Sequence, residues 1–307
     1  MQPSKAVRIV IVGGSVGGLA AAHEMRAVGV EAAVYERSAG RMEARGAGVV
    51  MQPEVEALFA RLHMSVRAVS VELWERQQLH LHGRATRYEA PQLMTAWDTL
   101  YRALREPLAG VCYRLDSALR QVRVEGSVVT AGFADGYTTQ GHFLVGADGI
   151  GSATRRLLGG AARPSYAGYV AWRGLEPEAA LPGDLLELLT GRFTFFGSDG
   201  MQMLCYLVPG PEGELTEGSR RVNWVWYMNV PEPRPAEAAR EPVREAVHGF
   251  PATRRNAAGY GGGTRRDGGR IASTAVRGAR TALRRLHAAR LRPSAPPDGR
   301  RPRGLDR

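Results

Sequence analysis

The stretch from Arg8 to Glu36 constrains the fold more than any other. Arg8–Val12 is a short β-branched apolar run, and Gly13 to Gly18 follows as a turn. Residues 19–28 then place Ala and Leu at helical spacing, and residues 30–35 read as a second strand. Strand, glycine-rich turn, helix and strand make a βαβ unit with a right-handed crossover. In Gly13-Gly14-Ser15-Val16-Gly17-Gly18, Gly13 takes the first place of a GxGxxG pattern, Ser15 replaces the second glycine and Gly18 is the third. Gly13 permits the tight turn, a small residue at 15 lets a pyrophosphate approach the backbone, and Gly18 lets the helix pack on the strand. With Val16 and Gly17, these residues put free N–H groups of a helix start against an anion. Glu36, ending the second strand, is placed to accept hydrogen bonds from an adenosine ribose. The plainer alternative is a glycine-rich turn with a surface glutamate.

The rest of the chain reads as a mixed α/β protein. Residues 53–62 and 96–104 look helical, residues 70–88 look like strands, and residues 119–137 look like a hairpin with turns near Gly126 and Gly136. Phe143-Leu-Val-Gly146 is a buried strand running into Ala147-Asp148-Gly149. Residues 169–174, 193–197, 203–208 and 222–230 read as strands of a second, mainly antiparallel layer. The expected fold is a Rossmann-like dinucleotide domain over residues 1–160, with inserted strands around 70–90. It is interleaved with an antiparallel substrate-side sheet over residues 161–249, and a basic tail covers residues 250–307.

The run Gly146-Ala147-Asp148-Gly149-Ile150-Gly151-Ser152, with Arg155 and Arg156 following, resembles the "GADG…S…R" segment of class A flavoprotein monooxygenases. A plain strand-to-helix turn with Ser152 as N-cap is the structural alternative, and both can hold at once. Tyr35-Glu36-Arg37-Ser38, Arg45-Gly46-Ala47-Gly48 and Gly168-Tyr169-Val-Ala-Trp172-Arg173-Gly174 resemble the subgroup that includes 2,6-dihydroxypyridine hydroxylase. So do the segments at Trp97–Leu104 and Asn223-Trp224-Val-Trp226-Tyr227. Many relatives carry arginine where Trp97 stands, so no flavin contact is carried over to it. The resemblance implies an FAD-dependent enzyme that uses NAD(P)H and O2 to hydroxylate an aromatic or N-heteroaromatic ring. It also implies FAD contacts at Gly13, Ser15, Val16, Gly17, Gly18, Glu36, Arg37, Arg45, Gly48, Asp148 and Gly149. Tyr169, Trp172, Arg173 and Tyr227 are candidates for the ring, although Trp and Tyr at alternating strand positions are more often core. No residue is singled out as catalytic base.

Charge separates the tail from the rest. The formal net charge is +11, yet residues 251–307 hold fifteen Arg, no Lys and three Asp, a net of +12. Residues 1–250 therefore sum to −1, which argues against nucleic acid as the ligand of the folded part. The tail is rich in Arg, Gly and Pro and is expected to be largely disordered. Relatives carry a further Gly-Asp-Ala-Ala segment that touches FAD, and this sequence lacks it. The tail reads as a frameshifted product, with a genuine basic partner-binding tail and a merely divergent terminus as the rivals. On the frameshift reading, weak FAD binding and a marginal fold are expected. Two lone cysteines, without CxxC spacing, suit a reducing cytoplasm and no metal site. No apolar run reaches the ~18 residues of a membrane span. A homodimer is left open.

Overall fold

The computed structural model describes residues 7–40, 47–80, 84–160 and 164–230. The basic tail and Arg45 lie outside the described residues.

The βαβ unit opens the chain. Strand β1 (Arg8–Val12) leads into helix α1 (Val16–Ala27) and strand β2 (Glu31–Tyr35). The helix starts three residues before the apolar periodicity does, because its first turn is Val16-Gly17-Gly18, which reads as punctuation in sequence. Strand β3 (Gly48–Val50) and helix α2 (Pro53–Arg61) follow, the helix opening with Pro at its first turn and two glutamates that suit the helix dipole. Strands β4 (Val71–Leu79) and β5 (Ala85–Ala96) come next, then helix α3 (Trp97–Arg105) and strand β6 (Cys112–Arg114). Strand β5 runs eight residues past the expected end at 88, through Pro91. Strands β7 (Leu119–Glu125), β8 (Val128–Phe133) and β9 (Thr138–Gly141) form a three-stranded meander. Gly126 and Gly136 adopt the positive φ its turns need.

Strand β10 (Phe143–Gly146) returns beside β1, giving a four-stranded parallel sheet in the order β10-β1-β2-β6. Its apolar residues Ile9, Ile11 and Val34 pack with Leu19 and Ala22 of α1, Phe59 of α2 and Leu100 and Leu104 of α3. Short helix α4 (Ala153–Leu157) follows β10.

The second layer contains β11 (Tyr169–Pro177), helix α5 (Gly183–Leu189), β12 (Arg192–Ser198), β13 (Met201–Val208) and β14 (Arg221–Asn229). Together with three earlier strands they form a seven-stranded sheet, β11-β14-β13-β12-β4-β5-β3, antiparallel except between β12 and β4. Helix α5 had no counterpart in the sequence reading, because its seven residues are too few to show a helical period. Its Leu185, Leu188 and Leu189 cover one face of the sheet. The two layers are joined by a buried ion pair: Arg221 on β14 donates two hydrogen bonds, 2.8 and 2.9 Å, to the carboxylate of Asp98 on α3.

Candidate cofactor and ring-binding site

The glycine-rich loop is built from backbone contacts that only glycine allows. Gly13 has φ +105°, and a Cβ there would lie 2.3 Å from the Ala147 carbonyl oxygen. The first motif is thus packed directly on the second. A Cβ on Gly18 would sit 1.8 Å from the Gly13 oxygen, which accounts for the third glycine. A Cβ on Gly14 would strike the Tyr113 hydroxyl at 2.2 Å. Gly17 is different: nothing lies within 4 Å of where its Cβ would be, so the outer side of the loop is open. Ser15 is the N-cap residue of α1 and its side chain makes no capping bond, and no acidic residue stands in the first helical turn. A bare backbone, a helix start and no opposing carboxylate there fit the diphosphate of a dinucleotide such as FAD.

Glu36 takes a place that sequence alone does not reveal. It is buried, and its two carboxylate oxygens accept N–H groups from Gly14 at 2.8 Å and Ser38 at 2.9 Å. The residue braces the loop, with lone pairs left over for a ligand. Arg37 is exposed beside it. Asp148 caps α4: its carboxylate accepts from the Ser152 hydroxyl at 2.6 Å and from the Thr154 N–H at 3.0 Å and hydroxyl at 3.1 Å. Ser152 in turn accepts from the Arg155 N–H, the N-cap role expected as the structural alternative. Partial burial works to raise the Asp148 pKa, but the hydrogen bonds from Ser152 and Thr154 outweigh it and hold the carboxyl below its ordinary value. Gly149 is exposed at φ +75°.

Gly48, on the edge strand β3 of the seven-stranded sheet, packs against residues of β13 and β14. Its N–H donates to Asn223 Oδ1 at 2.7 Å, and a Cβ would meet Asn223 and the Tyr206 ring within 2.7 Å. Side chains alternate faces along a strand, and the register puts Arg173 beside Val225, Tyr206 beside Asn223, and Tyr227 beside Gln202. Tyr169, Arg173, Tyr206, Asn223 and Tyr227 therefore share one face of the sheet. The Tyr169 and Tyr227 rings meet edge to face at 5.7 Å. Burial pulls the Arg173 guanidinium below its ordinary pKa, opposed by the neighbouring hydroxyls of Tyr227 and Tyr206. Burial pushes the Tyr206 hydroxyl up.

Trp172 departs from the sequence reading. It is paired with Trp226 on the opposite face, against the core covered by α5, so it does not join Tyr169, Arg173 and Tyr227. Trp172 and Arg173 are consecutive residues of β11, and a strand turns consecutive side chains to opposite faces. Conversely, Tyr206, Asn223 and Tyr113 went without a role in the sequence reading. Asn223 lies in a segment already noted, but Tyr113 sits on a three-residue strand with no motif. Among the described residues no group of His, Cys, Asp and Glu could hold a metal, and no helix is long and apolar enough to cross a membrane.

The fold and loop are those of a dinucleotide-binding α/β protein. A family model described as FAD binding domain-like matches residues 166–239. The chain is 33% identical over 228 residues to 2,6-dihydroxypyridine 3-monooxygenase of Paenarthrobacter nicotinovorans, covering 73% of this chain and 56% of that protein. It is 28% identical over 261 residues to 6-hydroxynicotinate 3-monooxygenase of Pseudomonas fluorescens, covering 80% and 66% respectively. The solved 2,6-dihydroxypyridine-3-hydroxylase from Arthrobacter nicotinovorans superimposes with TM-score 0.69 at 31% identity, over 75% of this chain and 58% of that one. HpxO of Klebsiella pneumoniae, complexed with FAD and uric acid, shares the fold with TM-score 0.62 at 21% identity. By sequence and fold the chain is a homologue of FAD-dependent aromatic and heteroaromatic monooxygenases. It spans a little over half the length of the first of these relatives, 56%.

Proposed function

We propose that this chain carries the FAD-holding and ring-holding parts of a monooxygenase that acts on a hydroxylated aromatic or N-heteroaromatic ring, with NAD(P)H as reductant. The observation that carries the reading is the packing of the Gly13–Gly18 loop on the Ala147-Asp148 turn, which brings the two motifs together at one end of the parallel sheet. Bound FAD supplies the redox chemistry with O2. The protein's own part is to bind and orient. Backbone N–H groups at Ser15, Val16 and Gly17 face the diphosphate. Glu36 reaches the adenosine ribose with its remaining lone pairs, and the exposed Arg37 adds positive charge nearby. Asp148, kept ionised by its hydrogen bonds, and Gly149 border the flavin side. On the sheet face, Tyr169 and Tyr227 offer aromatic surface to a ring. Arg173, partly desolvated, favours an ionised ring hydroxyl, which makes the ring more electron-rich. The names of the relatives point to a hydroxypyridine or hydroxynicotinate class of substrate.

A second reading rests on the missing Gly-Asp-Ala-Ala segment: a flavoprotein that binds nucleotide without turning over. The deciding experiment is the visible spectrum of the purified chain after addition of FAD and desalting. A retained, perturbed flavin spectrum is expected, followed by NAD(P)H oxidation stimulated by hydroxypyridines. Retained flavin without NAD(P)H oxidation selects the second reading, and a colourless protein overturns both.

A further inference from the structure

Residues outside either motif hold the loop from behind. Gly14 is gripped at both ends: its N–H donates to Glu36 Oε2 at 2.8 Å, and its carbonyl accepts from the Tyr113 hydroxyl at 2.9 Å. The Tyr113 hydroxyl also contacts that of Tyr101 at 3.1 Å, so Tyr101 can donate while Tyr113 donates onward. Arg105 lies over the Tyr113 ring, 4.4 Å from its centroid, and Trp97 stacks on Tyr101 at 5.1 Å. Burial pushes the Tyr113 hydroxyl pKa well up, helped by the hydrogen bond with Tyr101, so it stays a protonated donor throughout the working pH range.

The geometry of the peptide bond turns this grip into a consequence for the ligand. In a trans peptide the C=O and the following N–H point in opposite directions, and no cis bond occurs among the described residues. Glu36 draws the Gly14 N–H one way, so the Gly13 oxygen points the other way, which is where it meets Gly18. Tyr113 draws the Gly14 oxygen inward, so the Ser15 N–H points outward, to the open side of the loop. We propose that Tyr113 is a positioning residue for the dinucleotide diphosphate: by holding the Gly14 carbonyl it aims the Ser15 N–H at a phosphate oxygen, with Tyr101 and Arg105 fixing Tyr113 in turn. This rests on the FAD reading of the site and deepens it, because it assigns diphosphate recognition partly to α3 and β6.

The test is calorimetric titration of the full chain and its Tyr113→Phe variant with FAD, ADP and adenosine. Phenylalanine keeps the ring under Arg105 and removes only the donor. FAD and ADP affinity should fall about 3- to 10-fold, the size of one neutral hydrogen bond, while adenosine affinity is unchanged. The ratio of ADP to adenosine affinity is a readout that a merely structural role would not move. An unchanged ratio in folded Tyr113→Phe overturns the proposal while leaving the FAD reading intact. Failure of the wild-type chain to bind FAD or ADP sinks the FAD reading, and the proposal with it. If Tyr113→Phe does not fold, Tyr101→Phe decides: it leaves the bond to Gly14 but frees its donor, and the same ratio should fall about 2-fold. A Tyr101→Phe ratio equal to wild type would overturn the proposal.

Discussion

The parallel sheet with its glycine loop and the seven-stranded sheet solve different problems. In the first, shape is set by backbone: glycines at 13, 14 and 18 each occupy a place where a Cβ would collide, and the groups proposed to meet the ligand are N–H donors. In the second, the proposed ring site is made of side chains that three strands, β11, β13 and β14, must bring into register, and charge is handled by buried pairs. Glu178 is 1% exposed and holds Arg220 through bonds of 2.9 and 2.6 Å. Asp98 and Arg221 then tie one region to the other. A site made of one contiguous loop is sensitive to substitution at its packed glycines, 13, 14 and 18, and depends less on strand register. A site made of strand faces is the reverse.

The strongest way to break this contrast is to cut the tie. Asp98→Ala leaves Arg221 buried without its carboxylate and should cost about 3–5 kcal/mol. Denaturant unfolding followed both by tryptophan fluorescence, which reports mainly on the seven-stranded sheet, and by far-UV circular dichroism should then split into two transitions. A single transition at an unchanged midpoint would mean that the regions do not communicate through this pair. Next in size is Gly18→Ala. Its methyl meets a backbone carbonyl that cannot swing away, so about 1–3 kcal/mol of stability should be lost, seen as a lower urea midpoint. The same change at Gly17, where space is open, should raise stability by about 0.5–1 kcal/mol. It should nevertheless weaken FAD, because the methyl stands on the ligand side. Equal effects of the two substitutions on stability would contradict the loop geometry.

The smallest effect is a pH dependence. The folded pKa of Asp148 lies below its ordinary 3.8, so the unfolded chain takes up the proton first. Its stabilisation is complete above the ordinary value and drains away as pH falls through the lower, folded value. Comparing urea midpoints at about pH 5 and about pH 3, Asp148→Asn should lose less on acidification than wild type. Identical acid losses would mean that the Ser152 and Thr154 hydrogen bonds do not favour the ionised form.

Legibility followed the same division. The βαβ unit, the strand at Phe143 and the four later strands were readable because β-branched runs bounded by glycine leave a local signature. Ser152 as a cap was readable from its place one residue before a helix. Helix α5 was not, and neither was the pairing of β4 with β12 that joins the β4–β5 and β12–β13 hairpins, because nothing local says which strand edge a hairpin joins. Trp172 and Arg173 illustrate the limit: adjacent letters with equal claim in sequence, they are sent to opposite faces by a strand's two-residue period.

What the sequence by itself determined is the glycine-rich loop and its neighbour turn, although only the glycine at 18 answers a contact within a few residues of chain, and the one at 13 answers the distant Ala147 carbonyl. Only the tertiary structure decided that Glu36 turns inward to the Gly14 N–H, that Tyr113 arrives from a strand 99 positions away to take the Gly14 carbonyl, and that Arg173, Tyr206 and Tyr227 share one face. The physical reason is that hydrogen-bond partners distant in sequence are chosen by register and packing, which are properties of the assembled sheets and not of any one segment.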